Sequence, residues 1–175
     1  MKKDLTEEIV LQEGVEAEIT DRKVSVKSNN VVNERFFNYS ISMKKDDGKI
    51  ILSEKKATKR EKNQLMSAKA HILNMIKGLK EKYVYKLQIC TIHFPVTTTI
   101  DKGEFVVKNF LGEIKPRKLK LKPGVEVKVE KEIITVSSHN KELAGQTAAD
   151  IECLTKIKSR DRRVFQDGIF IVQRP

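Results

Sequence analysis

Apolar and charged residues alternate along Val15, Glu16, Ala17, Glu18 and Ile19, and apolar residues return at Val24 and Val26. That is the period of a half-buried strand, and it predicts a strand pair turning at Asp21-Arg22. Phe36, Tyr39, Ile41 and Met43 predict further strand. The run 44–49 (KKDDGK) predicts a hairpin, because Asp-Gly accepts the positive φ of a two-residue turn, and 50–52 is the returning strand. The period then changes. Leu65, Ala68, Ile72, Met75, Ile76 and Leu79 recur at three and four, the stripe of an amphipathic helix that weakens at Gly78. Strand patterning resumes at 83–92, breaks at Phe94-Pro95 and returns at 104–110 after the turn 101–103. Leu119 and Leu121 alternate with lysines, and Pro123-Gly124 opens another strand pair. A second helix follows, with Asn140 as its cap and Leu143, Ala144, Thr147, Ala148, Ile151 and Leu154 as its buried stripe. Asp167-Gly168 turns the chain into a last strand over 169–172.

The chain also repeats itself. Residues 14–28 read GVEAEITDRKVSVKS and residues 124–138 read GVEVKVEKEIITVSS. Without a gap, Gly14/Gly124, Val15/Val125, Glu16/Glu126, Val26/Val136 and Ser28/Ser138 are identical, and Val24 stands against Ile134. A scaffold of strand pair, further strands and one helix, used twice, accounts for this, and differences between the copies mark where function lies. The predicted class is α+β. Two tandem related domains, 1–81 and 82–175, each form an antiparallel sheet with a helix packed on one face, and the second adds a strand after its helix.

Charge changes this picture. Lysine and arginine number 35 against 24 acids, a formal +11, which draws polyanions and above all nucleic acid. The excess is uneven: 17 basic and 13 acidic residues in 1–81, but 18 and 11 in 82–175, which makes the second half the main anion-facing one. No apolar run is long enough to cross a bilayer, and the opening MKKDLTEEIV lacks the apolar core of a signal peptide, so a cytoplasmic location without a membrane partner is expected. Cys90 and Cys153 have neither ligand nor redox spacing, and both are expected as buried thiols.

The densest candidate site is 156–165. Lys156, Lys158, Arg160, Arg162 and Arg163 fall within eight positions, where they can reach several phosphates at once. The competing reading is a solvated loop partnered by Asp161 and Asp167. A second cluster, Lys115, Arg117, Lys118, Lys120 and Lys122, places its last three on one strand face that meets either solvent or RNA. His71, His93 and His139 lack ligand spacing, and no glycine-rich phosphate loop, nucleophile elbow or separated carboxylate pair occurs. Neither an enzyme nor a cofactor is predicted. The alternative binding function is a basic adaptor domain docking acidic protein partners through the same loop.

Several stretches resemble one family. They are Asn109-Phe110-Leu111-Gly112-Glu113 with Pro116-Arg117, the run 141–152 (KELAGQTAADIE), and the run 160–172 (RDRRVFQDGIFIV). Asn74-Met75-Ile76-Lys77-Gly78 and His93-Phe94-Pro95 match it too. Together they resemble the archaeal-type version of universal ribosomal protein L-six of the large subunit, over nearly the whole chain. The resemblance implies two tandem α+β domains and no catalysis. It implies binding to large-subunit rRNA near the stalk base and the sarcin–ricin loop, with neighbouring ribosomal proteins as partners and translation factors nearby. Carried onto this chain, the rRNA contacts fall on Lys115, Arg117, Lys141, Gln146, Lys158, Arg160, Arg162 and Arg163. The sequence departs from the family after its first strand pair. Ser28-Asn29-Asn30-Val31 stands where a Gly-Pro-x-Gly turn is usual, which leaves any RNA contact of that turn open.

Overall fold

The computed structural model describes residues 3–11, 14–20, 22–28, 31–37, 41–46, 48–161 and 163–175. The chain forms two compact units, Met1–Glu81 and Lys82–Pro175. Unit 1 runs β1 (Lys3–Val10), β2 (Glu16–Thr20), β3 (Lys23–Ser28), β4 (Val31–Phe36), β5 (Ser42–Asp46), β6 (Lys49–Ala57) and α1 (Lys59–Lys80). Its strands make two antiparallel sheets, ordered β1-β6-β5 and β2-β3-β4. Helix α1 starts at Thr58, whose amide donates to the Glu61 carboxylate at 2.6 Å, the reciprocal arm of a capping box. The Thr58 hydroxyl and amide hold the Glu61 carboxyl below its ordinary range. The apolar stripe Leu65, Ala68, Ile72 and Ile76 then closes a core shared with Ala17, Val24 and Val26 of one sheet and Ile9, Ile50 and Leu52 of the other. The burial of these aliphatic side chains is the main stabilising term.

Unit 2 runs β7 (Tyr83–Cys90), β8 (Thr97–Asp101), β9 (Glu104–Lys108), a 3-10 turn (Phe110–Gly112), β10 (Arg117–Lys120), β11 (Glu126–Glu130), β12 (Ile133–Ser138), α2 (Lys141–Leu154) and β13 (Gly168–Gln173). The sheets are β11-β12-β7-β13 and β10-β9-β8, again antiparallel throughout. Asn140 caps α2 as expected, its side-chain oxygen accepting from the Glu142 amide at 2.9 Å and the Leu143 amide at 3.4 Å. The core joins Leu87, Phe105, Val107, Phe110, Ile134, Val136 and Ile169 to Ala148 and Ile151 of α2.

The α+β class and the pair of related sheet–helix domains stand, with two sheets in each unit. The internal repeat is a different matter. Both repeated segments are hairpins, and they pair rung for rung: Ala17↔Val26 and Ile19↔Val24 in the first, Val127↔Val136 and Val129↔Ile134 in the second. Yet they are not equivalent in topology. The hairpin β11–β12 leads straight into α2 and pairs with the first strand of its unit. In unit 1 that place belongs to β5–β6, while β2-β3-β4 matches β8-β9-β10. An amphipathic hairpin repeats its own pattern wherever it sits, so the gapless match joined look-alike hairpins from different sheets.

Elsewhere the structure adds one strand to those expected and moves both cysteines outward. The opening segment is a full strand, β1, with Leu5 and Ile9 turned inward and a register shift between Lys3 and Leu5. Cys153 is exposed and Cys90 half-buried, because Cys153 lies off the α2 stripe and Cys90 points to the opposite pleat from Ile89. Residues Asp21, Asn29, Asn30, Tyr39 and Asp47, which carried turn or strand expectations, lie outside the described residues.

Gly145 on α2 is fixed by packing: a Cβ there would stand 2.9 Å from the Tyr85 hydroxyl of β7. Gly145→Ala is therefore expected to destabilise the wild-type chain, the steric cost exceeding the helix gain. In a Tyr85→Phe background the same change removes that contact and should stabilise by about 1 kcal/mol, the ordinary Gly-to-Ala helix gain. Urea unfolding of the four chains checks the sign reversal.

Candidate nucleic-acid interface

The two units differ most in two connections. Between β3 and β4 lie only residues 29–30, whereas the equivalent β9–β10 connection spans 109–116. Unit 2 also adds the segment 155–167 between α2 and its extra strand β13. These two loops and the β7–β8 loop (91–96) gather at one end of unit 2.

A buried carboxylate joins the first pair of loops. The Asp167 side chain is 1% exposed and accepts from the amides of Ile92 (2.7 Å) and His93 (3.0 Å) and from the His93 ring at Nδ1 (2.6 Å). Burial works against its ionisation, but the His93 and Ile92 amides and the His93 ring together hold its carboxyl below the ordinary aspartate range. The His93 ring stacks on Phe165, centroids 4.8 Å apart, and the Arg160 guanidinium lies 4.8 Å from the same Phe165 ring. The loop 156–167 is further shaped by the Phe165 amide, which donates to the Asp161 carbonyl at 2.9 Å.

Arg117 joins the β9–β10 loop to the end of α2. Its Nε and Nη2 make a fork onto Glu113 at 2.8 and 2.5 Å, its Nη1 donates to the Leu154 carbonyl at 2.7 Å, and its charge lies 4.5 Å from the Phe110 ring. The hydrogen bond from Arg117 is the main reason the Glu113 carboxyl falls below its usual range, and Arg160 adds to it through space. The same loop takes left-handed backbone at Asn109, Leu111 and Gly112. The Asn109 amide group donates to the Pro95 carbonyl at 2.9 Å, and a Cβ at Gly112 would sit 3.6 Å from the Phe94 ring. All three loops are thus bonded or packed to one another.

The candidate residues separate accordingly. Lys115, Lys158 and Arg160 are exposed on this end, and none makes a salt bridge among the described residues. Arg163 is exposed on the same loop but is folded back on Asp161, at 2.9 Å, which lowers the Asp161 pKa. Arg117 is committed to the fold. Arg162 lies outside the described residues. Lys141 and Gln146 belong instead to the first half of α2: Lys141 sits 5.6 Å from the Tyr83 ring, and Gln146 donates to Asp150 at 2.8 Å. Asp150 also holds Lys122 at 3.1 Å, and Lys118 approaches Glu104 at 4.0 Å. Sequence reasoning denied His93 a ligand role and gave Phe165 and Glu113 no role beyond their place in family-like motifs. The signal that singles out Phe165 and Glu113 is their place in the two connections that unit 2 lengthens or adds, whereas His93 lies in the β7–β8 loop that both of them meet. Among the described residues no cluster of three metal-binding side chains occurs, and no helix is long and apolar enough to cross a membrane.

Known proteins resemble this chain over nearly its whole length. The family described as Ribosomal protein L6 matches residues 94–168, a span that takes in nearly all of the three loops. The large ribosomal subunit protein uL6 of Methanobrevibacter smithii is 39% identical over 171 residues, 97% of this chain and 96% of the relative. Its counterparts are 41% identical in Methanococcus vannielii and 40% in Sulfurisphaera tokodaii, each across 97% of this chain and 94% and 92% of the relative.

Arg117→Ala should destabilise unit 2 by about 1–3 kcal/mol, since it leaves the Leu154 carbonyl and the Glu113 carboxylate without their donor. Arg163→Ala should stay within about 0.5 kcal/mol of wild type, as an exposed pair does. Asp167→Asn tests the buried carboxylate. A depressed folded pKa contributes stability that is present above the unfolded value and lost as pH falls through the folded one. Wild type should therefore exceed the variant by about 2 kcal/mol near neutral pH, and the gap should close only below the ordinary aspartate range. Thermal unfolding measured across pH decides both.

Proposed function

The chain belongs to the ribosomal protein L6 family, and from that premise we propose how it meets its RNA. It is a structural constituent of the large ribosomal subunit, not an enzyme, and it works in the ribosome of the cytoplasm alongside rRNA and other ribosomal proteins. The second unit, 82–175, is the main rRNA-binding half, and it docks near the stalk base and the sarcin–ricin loop, where translation factors pass. Its three-loop end meets the phosphate backbone through Lys115, Lys158 and Arg160, with Arg162 and Arg163 on the same loop. Lys141 and Gln146 offer a second, weaker contact along α2. Arg117 contributes indirectly, by holding the β9–β10 loop in place.

The observation that carries this reading is the cluster of exposed cations, Lys115, Lys158 and Arg160, that make no salt bridge among the described residues, on the two connections that unit 2 lengthens or adds. Lysine and arginine there replace condensed counterions, and the locked loops fix their spacing. Because A-form grooves hide base edges from side chains, recognition is mainly of RNA shape.

The test is the double variant Lys158→Ala/Arg160→Ala in the full chain, titrated against deproteinised large-subunit rRNA at several salt concentrations. Affinity should fall, and the slope of log K against log salt should shrink by roughly two, one per lost phosphate contact. Thermal unfolding should stay within about 0.5 kcal/mol of wild type. An unchanged slope, or an equal loss of folding stability, would remove these side chains from the RNA contact.

A further inference from the structure

Four large apolar side chains stand in water on the three loops: Ile114 (99% exposed), Ile92 (66%), Val164 (60%) and Phe94 (44%). One such side chain on a surface needs no explanation. Four on loops bonded to one another, interleaved with Lys115, Lys158 and Arg160, form a mixed apolar and cationic surface. Ile114 is the extreme case, and its position is fixed. The Glu113 amide before it donates to the Phe110 carbonyl at 3.0 Å, the Glu113 carboxylate is forked by Arg117, and Pro116 follows two residues later. An apolar tip held rigidly in water carries little ordering cost when it is covered.

The charges available point the same way. Of the described cations on these loops, Lys115, Lys156, Lys158 and Arg160 make no salt bridge among the described residues, whereas Arg163, like Arg117 beside them, is already paired with a carboxylate. Contacts made by these cations weaken as salt rises. An apolar contact among them adds a contribution that salt does not screen. The wide, shallow minor groove of A-form RNA offers a partner for it: ribose C–H groups beside the 2′-hydroxyls, bordered by phosphates, against apolar tips bordered by cations.

We propose that Ile114 is the apolar anchor of this interface, packing against ribose faces in an A-form minor groove while Lys115, Lys158 and Arg160 take the flanking phosphates. The inference rests on the rRNA-binding reading above and adds to it the surface of RNA that is met.

The experiment compares full-length wild type, Ile114→Ser and Lys115→Ala by fluorescence anisotropy with deproteinised large-subunit rRNA across a range of potassium chloride. Ile114→Ser should bind about tenfold more weakly at every salt concentration, with an unchanged slope and unchanged thermal unfolding. Lys115→Ala should lower the slope by about one. Wild-type affinity in Ile114→Ser overturns the anchor, and so does a loss that shrinks as salt rises. Intact rRNA affinity with failed incorporation into particles also overturns it, and assigns Ile114 to a protein neighbour. If wild type itself does not bind the rRNA, the proposed function falls; if wild type binds and only the Ile114 effect is missing, the anchor alone falls.

Discussion

A carboxylate cut off from water must be matched by donors, and Asp167 is matched from a single neighbouring loop. Two successive backbone amides, Ile92 and His93, and the ring of the latter converge on it. An unpaired buried charge costs several kcal/mol, so the loop after β7 and the loop before β13 hold each other in place. The stack then propagates outward: His93 rests on Phe165, and Phe165 supports Arg160. The position of an exposed guanidinium is thereby tied to a carboxylate that solvent barely reaches. Asp167 thus acts on the surface without touching anything outside the protein.

The duplicated scaffold explains why this end exists in one unit only. Both units use a first strand, a three-stranded sheet, a hairpin and a helix. Unit 2 lengthens one connection and appends β13 to the edge of its larger sheet. The new edge is covered from α2: the Ile169 amide donates to the Thr155 hydroxyl at 2.9 Å, and the Ile171 amide donates to the Glu152 carboxylate at 3.2 Å. With those donors satisfied, β13 does not invite strand pairing by another chain. Additions could therefore accumulate at the loop end while the common core of sheets and helix stayed intact.

Much of the fold was legible in the sequence because its signals are local. Periodicity gave both helices, and Asn140 gave the start of α2. The strand β1 was missed because Asp4 and Glu8 face solvent, and Glu7, on the face of Leu5 and Ile9 and paired with Lys69 of α1, interrupts their apolar trace. The repeat misled for a related reason: side-chain alternation records which face is buried, and not which sheet the hairpin joins. At the candidate site, the cation cluster and its loop could be read, but the commitment of Arg117 could not. Its partners Leu154 and Phe110 come from separate elements, and only the fold brings the three together. The same holds for His93, whose role depends on an aspartate 74 positions away.

Net charge alone would have spread the interface over the whole protein. In unit 1, however, several of the lysines are answered on the surface. Lys23 meets Glu34, Lys27 meets Glu18 and Lys49 meets Glu8 across neighbouring strands, and Lys69 of α1 meets Glu7 of β1. Each exposed pair adds little stability, but each also cancels a charge that would otherwise attract phosphate. Sheet geometry makes such cancellation easy, because diagonal neighbours on one face lie within reach of long side chains. A loop has no ladder neighbour, and its charges are answered only by local contacts such as Asp161 with Arg163. Lys115 and Lys158 make no salt bridge among the described residues. The local excess of positive charge therefore follows from secondary structure as much as from composition.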